Sequence, residues 1–228
     1  SGDWAPPEWP RNGYTVTAEL LARGSLIDRV SHEIHVWRPR EEKEWVTAKD
    51  GGFAVNGRLW RAHGVNYMPS SGIGTEDGAY FEYWVGARSY DPVVIQRDLE
   101  HIRDLGMNAV SIFIDHVSLP SQNLLDLLRR LDALGIRANL SLRPGNPMHF
   151  DFKPIREIIE YYRLGENDTV FAFDLAWEPM FRGHQERKPW DRAWEAWIVE
   201  RYGSIDAAEK DWGFALPREA DGRITNPL

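Results

Sequence analysis

Glu178 is the residue around which chemistry can be built. It stands in the run VFAFDLAWEP, Val170 to Pro179, at the carboxyl end of an apolar, β-prone segment made by Val170, Phe171, Ala172 and Phe173. A strand that is apolar along its whole length is covered on both faces, as in a parallel β/α sheet, and ligands meet such sheets at the carboxyl ends of the strands. A carboxyl group at that address is suited to proton transfer. Trp177 sits beside it, and an apolar neighbour disfavours the charged carboxylate, which suits a general acid. Two other acids lie near predicted strands: Asp115, after the run MNAVSIFI, and Asp174, four residues before Glu178. Asn66 and Tyr67 close an earlier strand, and Arg143 and His149 flank the end of another. With Asp115 and Trp177 these are the candidate binding residues, since strand ends are where binding sites form.

The elements that hold these residues alternate β and α from Trp60 onward. The first strand is expected at Trp60 to Tyr67, followed by a Gly/Ser/aromatic loop to Tyr90. The first helix spans Asp91 to Leu105, with Asp91 as cap, Pro92 in the first turn, and Ile95, Leu99 and Ile102 as the buried face. The pattern continues with a strand at Met107 to Ile114, a leucine-striped helix at Ser121 to Leu134, and a strand at Ile136 to Leu142. A helix at Lys153 to Leu164 and the strand Val170 to Ala176 complete the fourth unit, and helices at Trp190 to Tyr202 and Ile205 to Trp212 follow. Trp190, Trp194 and Trp197 repeat at helical spacing and are expected to be core. Four units amount to half of an eight-stranded barrel, which takes about 250 residues. An open four-stranded parallel sheet with helices on both faces is the alternative, although no Gly-rich phosphate turn follows the first strand, where a nucleotide-binding version would carry one.

Upstream, residues 1 to 13 are rich in Pro and Gly and predict an irregular arm pinned by Trp4 and Trp9. YTVTAELLA and SLIDRVSHEIHVW alternate on either side of Arg23, Gly24 and Ser25 and predict an antiparallel hairpin. An isolated hairpin is marginal in water, so this one needs a partner sheet. His32 and His35 fall on opposite faces of it and make no metal pair. RPREEK, Arg38 to Lys43, reads as a charged linker, and a second hairpin is expected from Trp45 to Lys49 and Phe53 to Val55.

Composition narrows the function classes. With 228 residues and 43% hydrophobic content the chain can bury one sizeable core. Its 11 Trp suit the holding of flat apolar or sugar-like rings, besides filling cores. A net charge of -8 argues against nucleic acid, which is bound by clustered Lys and Arg. Cysteine is absent, so there is no disulfide framework, no thiolate metal site and no Cys nucleophile. No apolar run approaches membrane-spanning length, and no motif asks for a cofactor or a metal.

Three runs carry a resemblance to a known group. GRLWRAHGVNYMP (Gly57 to Pro69), RDLEHIRDLGMNAVSIF (Arg97 to Phe113) and FDLAWEP (Phe173 to Pro179) resemble the first, second and fourth β/α units of clan A glycoside hydrolases, which include families 2, 5 and 42. WDRAWEAWIVERYGSIDAAEKDWGF, Trp190 to Phe214, is similar to the helix after strand four in family 42 β-galactosidases. The resemblance implies a (β/α)8 TIM-type barrel of which residues 50–228 are the amino-terminal half, with residues 1–49 as the end of a β-sandwich-like domain and its linker. It implies Glu178 as general acid/base, carbohydrate as substrate, and a nucleophilic Glu on a seventh strand beyond Leu228. A complementary chain or self-association would then complete the barrel, and a secreted or periplasmic setting is favoured over a cytoplasmic one. Two positions depart from the clan's pattern: Trp177 stands where Asn usually precedes the acid/base, and Ser111 where strand two commonly carries Arg.

Glycoside hydrolysis needs two carboxyl groups, about 5–5.5 Å apart in retaining enzymes and further apart in inverting ones. Asp174, if it shares a strand with Glu178, faces the same way about 13 Å off, too far for a retaining pair. The expectation is therefore a retaining β-glycosidase whose nucleophile lies outside this chain, so that the chain alone is inactive. The rival is a non-catalytic carbohydrate-binding or scaffolding protein on the same fold.

Overall fold

The computed structural model describes residues 8–70, 83–87, 89–114, 122–142, 145–146, 149–150, 152–174, 176 and 180–227. The chain divides into two compact units, Ser1–Arg143 with Phe152–Leu175, and Pro144–Asp151 with Ala176–Leu228. No described helix is long and apolar enough to cross a membrane.

The first unit begins with an antiparallel ribbon of β1 (Gly13–Ala22) and β2 (Ser25–His35). Its alternation sorts the side chains onto two faces. Tyr14, Val16, Ala18, Leu20, Asp28, Val30, His32 and Ile34 share one face, apolar on β1 and mixed on β2, and Thr15, Thr17, Glu19, Arg29, Ser31 and Glu33 the other. The polar face is tied across the strands by Thr17 to Ser31 at 2.9 Å and by Arg29 to Glu19 at 2.6 Å. Ile27 is the extra residue of a bulge opposite the Leu20–Leu21 step.

A three-stranded antiparallel sheet follows: β3 (Val46–Lys49), β4 (Gly52–Val55) and β5 (Arg58–Trp60). Trp60 was expected to open the first parallel strand; instead it closes this sheet. The reason is cross-strand pairing, because Trp60 lies opposite Phe53 and both rings meet Phe171 edge to face, with centroids 5.2–6.4 Å apart. The predicted linker is likewise more than solvated charge. Arg40 pairs with Asp132 and reaches Asp168, whose buried carboxylate also accepts the Glu44 N–H at 2.8 Å, while Arg137 pairs with Glu44 at 3.3 Å.

The parallel sheet runs in chain order: β6 (Gly64–Asn66), β7 (Ala109–Phe113), β8 (Arg137–Ser141) and β11 (Val170–Asp174). Helices α1 (Pro92–Asp104), α2 (Asn123–Ala133) and α3 (Phe152–Tyr161) return the chain between them. Asp91 starts α1 as expected, its carboxylate accepting the N–H groups of Val93 and Val94. Ile95, Leu99 and Ile102 of α1, the leucines of α2, and Ile155, Ile158 and Ile159 of α3 pack into one core with Val110, Ile112, Ala138 and Leu140. All three helices therefore cover the same face of the sheet.

In the second unit a two-residue ladder pairs β9 (Gly145–Asn146) with β10 (His149–Phe150). Helices α4 (His184–Arg187), α5 (Asp191–Tyr202) and α6 (Ile205–Trp212) follow. Ile198, Ala208, Leu216 and Ile224 form the core, with Trp194, Tyr202 and Trp212 packed against it. Of the tryptophan stripe only Trp194 is core: Trp190 and Trp197 are 52% and 49% exposed. The cause is geometric: Trp190 precedes the first residue of α5, and Trp197 stands one position, about 100° of helical turn, from Ile198, the residue that the helix turns inward. Asp191 fastens the terminal segment to α5 by accepting the Thr225 hydroxyl at 2.7 Å and the Asn226 backbone and side-chain N–H groups at 3.0 and 2.8 Å.

Candidate functional site

Strand alternation gives the parallel sheet a second face, away from the helices. Val110, Ile112, Ala138 and Leu140 point into the helical core, so Ala109, Ser111, Phe113, Asn139 and Ser141 point the other way. Register then makes rows. Asn66 lies opposite Ser111, Ser111 opposite Asn139, and Asn139 opposite Ala172. One step nearer the carboxyl ends, Phe113, Ser141 and Asp174 form the next row.

The first row is a hydrogen-bonded polar stripe. Asn139 Nδ2 donates to Ser111 Oγ at 3.0 Å, which leaves the Ser111 O–H to donate and the Asn139 carbonyl to accept. Asn66 is exposed beside them. A depression of about 420 Å³ runs over this row, lined also by Phe171 and Gly64. In the second row Ser141 is fully buried and its hydroxyl finds no partner among the described residues. Asp174, half-buried, brings a carboxyl group to the same row. Amides and hydroxyls in such a stripe bind hydroxyl groups; they do not transfer protons at neutral pH.

Tyr67 takes the opposite course from Asn66. It is 4% exposed, its ring meets Trp84 edge to face at 5.5 Å, and its hydroxyl donates to Asp98 at 3.5 Å. Burial, then the neighbouring Asp98 charge, pushes the phenol far above its ordinary range. Asp98 also accepts the N–H and the hydroxyl of Ser70, each at 2.7 Å, fixing the chain as it leaves β6. Burial raises the Asp98 pKa, but the Ser70 donors and Arg97 outweigh it and leave the carboxyl below its usual range. Tyr67 and Asp98 thus hold Asn66 in place from the helical side.

Glu178, Trp177, Asp115 and Arg143 lie outside the described residues. His149 is described by its backbone alone, opposite Asn146 in the short ladder. β11 ends at Asp174 rather than Ala176, and the expected separation of Asp174 from Glu178 falls outside the described residues. Ser111, Asn139 and Ser141 were missed as site residues. Their signal was present in the sequence: polar residues at alternate positions of otherwise apolar strands mark a face that is not packed on helices. Among the described residues no group of three His, Asp or Glu is placed to hold a metal ion.

No protein-family model and no curated protein matches the chain. Among solved structures it overlaps a GH5_18 protein of Bifidobacterium longum subspecies longum, in complex with Manβ1-4GlcNAc, at 18% identity and a TM-score of 0.36, over 57% of this chain and 38% of that one. A GH5_18 protein of Bifidobacterium longum subspecies infantis follows at 17% identity and a TM-score of 0.33, over 60% and 41%. An endo-1,4-beta-mannanase of Eisenia fetida overlaps at 14% identity and a TM-score of 0.32, over 55% and 37%. These neighbours are glycoside hydrolases, and the chain spans about two-fifths of their length. Likenesses of this size carry neither fold nor activity across, and leave both to the chain's own residues.

Proposed function

We propose that the chain is the first half of a (β/α)8 barrel from a retaining glycoside hydrolase acting on β-linked sugars. Glu178 serves as general acid/base, and the nucleophile stands on a later strand outside these 228 residues. The observation that carries this is the strand order. In a doubly wound sheet the order reverses at a switch point and helices cover both faces; here β6, β7, β8 and β11 are neighbours in chain order and all three helices pack on one face. Monotonic order with helices on one side is the winding of a barrel, whose interior is the other face. Glu178 follows the carboxyl end of the fourth strand by four residues, the address of barrel chemistry.

Asn66, Ser111 and Asn139 line that interior and offer hydrogen bonds to sugar hydroxyls. Asp115, Arg143, His149 and Trp177 follow the strands' carboxyl ends in the sequence and are assigned to substrate. Residues 1–49 continue a β-sandwich-like domain, and four further β/α units, on a complementary chain or a longer one, close the barrel. A non-catalytic carbohydrate-binding role is the second reading, favoured by Trp177 in the place of the usual Asn.

The test is a panel of β-glycosides with good and poor leaving groups, assayed on this chain and on a form that includes a complete barrel. The complete form should turn over, with Glu178→Gln losing most on poor leaving groups, because proton donation matters least where the leaving group needs no help. Equal loss on all substrates removes Glu178 as the acid. Turnover by this chain alone, abolished by Glu178→Gln, would place both carboxyl groups within it and end the half-barrel assignment. Sugar binding without turnover by the complete form would establish the second reading.

A further inference from the structure

Residues 37–44, which join the β1–β2 ribbon to β3, meet one short stretch of the parallel-sheet region, the turn between α3 and β11. That turn is built to keep its shape. Arg163 takes a left-handed backbone conformation with φ 52° and pairs with Glu166, Leu164 is buried, and the Asn167 side-chain carbonyl accepts the Thr169 N–H at 3.1 Å. The joining segment touches it at three successive places. The Arg163 guanidinium lies 5.7 Å from the centre of the Trp37 ring, Lys43 Nζ donates to the Glu166 carbonyl at 2.7 Å, and the Asp168 carboxylate accepts the Glu44 N–H at 2.8 Å and Arg40 at 3.3 Å. Arg137 on β8 bonds both the Asp168 carbonyl and Glu44. At its other end the segment is tied to the base of the ribbon, where the Val36 N–H donates to the Asn12 carbonyl at 2.9 Å and Arg38 donates to the Trp9 carbonyl.

These contacts are not equal. An exposed ion pair such as Arg40 with Asp132 contributes little, because solvent screens it and two long side chains must be ordered. Asp168 differs, since its side chain is only 5% exposed and a buried carboxylate stripped of its donors is costly. Among the described residues both of its donors, the Glu44 N–H and Arg40, come from the joining segment. Lifting that segment off the turn leaves a buried charge unpaired, which surface charge alone would not do.

We propose that residues 37–44 are a strap, keyed on Asp168, that holds the β1–β2 ribbon in one fixed orientation to the parallel sheet. The ribbon is then carried as part of the same body and does not swing on a hinge at RPREEK. The strap involves neither the outer edges of the ribbon nor Glu178, so its fate is independent of the enzymatic reading.

The chain has no cysteine, so two can be introduced for labelling. Nitroxides at Thr15→Cys, near the ribbon base, and Val93→Cys, 77% exposed on α1, report the distance from ribbon to sheet region by pulsed electron resonance. The doubly labelled chain should give one narrow distance distribution. It should broaden or split in Asp168→Ala and in Arg40→Ala/Lys43→Ala, which alters the strap and leaves the side chains of the sheet in place. It should stay narrow in Arg103→Ala, which breaks an exposed ion pair on α1. Amide exchange is the second measure: at Glu44 it should be about tenfold or more slower than in the unfolded chain, and Asp168→Ala should abolish that protection. A broad distribution before any strap substitution, or an unprotected Glu44, overturns the proposal and makes residues 38–43 a hinge. A narrow distribution kept in Asp168→Ala overturns it as well, and assigns the orientation of the ribbon to other contacts. Should Asp168→Ala fail to fold, Arg40→Ala/Lys43→Ala decides by the same reading.

Discussion

Asn139 on β8 donates its side-chain amide to the Ser111 hydroxyl on β7, 3.0 Å away, across the face of the parallel sheet opposite α1, α2 and α3. This bond ties two neighbouring strands at the row that also holds Asn66. Its energy is open to measurement. In a double-mutant cycle by urea unfolding, Ser111→Ala and Asn139→Ala should be coupled by about 0.5–1.5 kcal/mol, the range for a neutral hydrogen bond. Additive effects would mean that the two side chains act separately in solution.

Gly64 tests the pairing of β6 with β7. A Cβ at this position would stand 1.8 Å from the Ala109 carbonyl oxygen, and backbone cannot yield as a flexible side chain does. Gly64→Ala should therefore cost about 3 kcal/mol or more, at the top of the range for overpacking. Gly165→Ala, where nothing lies within 4 Å, should shift stability by less than about 1 kcal/mol. Similar small effects at both positions would contradict the close approach of β6 to β7.

Asp126 sets a pH dependence. Burial raises its pKa, but Arg130, Arg129 and the Tyr90 hydroxyl bond its carboxylate and leave the folded value below the ordinary one of 3.8. A depressed folded pKa contributes stability that is complete above the unfolded value and is lost as pH falls through the folded one. Stability should thus fall below about pH 4, and Asp126→Asn should flatten that limb. A wild-type acid limb retained in the variant would assign it to other carboxyl groups.

Tyrosine titration gives the opposite sign. Burial, helped by the adjacent Asp98 and Asp126, raises the phenols of Tyr67 and Tyr90 well above 10.0. Groups with raised pKa contribute stability below the unfolded value that is lost as pH climbs past it. At least two of the eight tyrosines should ionise only together with alkaline unfolding, followed by ultraviolet absorbance against circular dichroism. Eight freely titrating tyrosines would place Tyr67 and Tyr90 in water.

Asp191 anchors the segment that ends at Asn226. Its three accepted hydrogen bonds make Asp191→Ala worth about 2 kcal/mol of local stability, within the range for bonds to a charged acceptor. Amide exchange should quicken at Thr225 and Asn226 while β7 and β8 keep their protection. Unchanged exchange at these residues would show that Leu216 and Ile224 hold the segment by packing alone.

The sequence determined the elements, because their signals are local. Asp91 and Pro92 start α1, the leucine stripe makes α2, and alternation makes the β1–β2 ribbon, each read from residues a few positions apart. It also marked Glu178 as an acid four residues beyond the last residue of β11, although the side chain itself lies outside the described residues. Tertiary structure decided what no local pattern encodes. Trp60 joined the antiparallel sheet because Phe53 and Phe171 offered it ring contacts. Tyr67 and Asn66 are adjacent in sequence, yet one is sealed against Trp84 and Asp98 while the other stands on the open face, since successive residues of a strand point to opposite sides. Ser111 and Asn139, 28 residues apart, became one polar row only when strand register set β7 beside β8. Register depends on the pairing of whole strands and on which face the helices cover, and neither is a property of any short stretch of the chain.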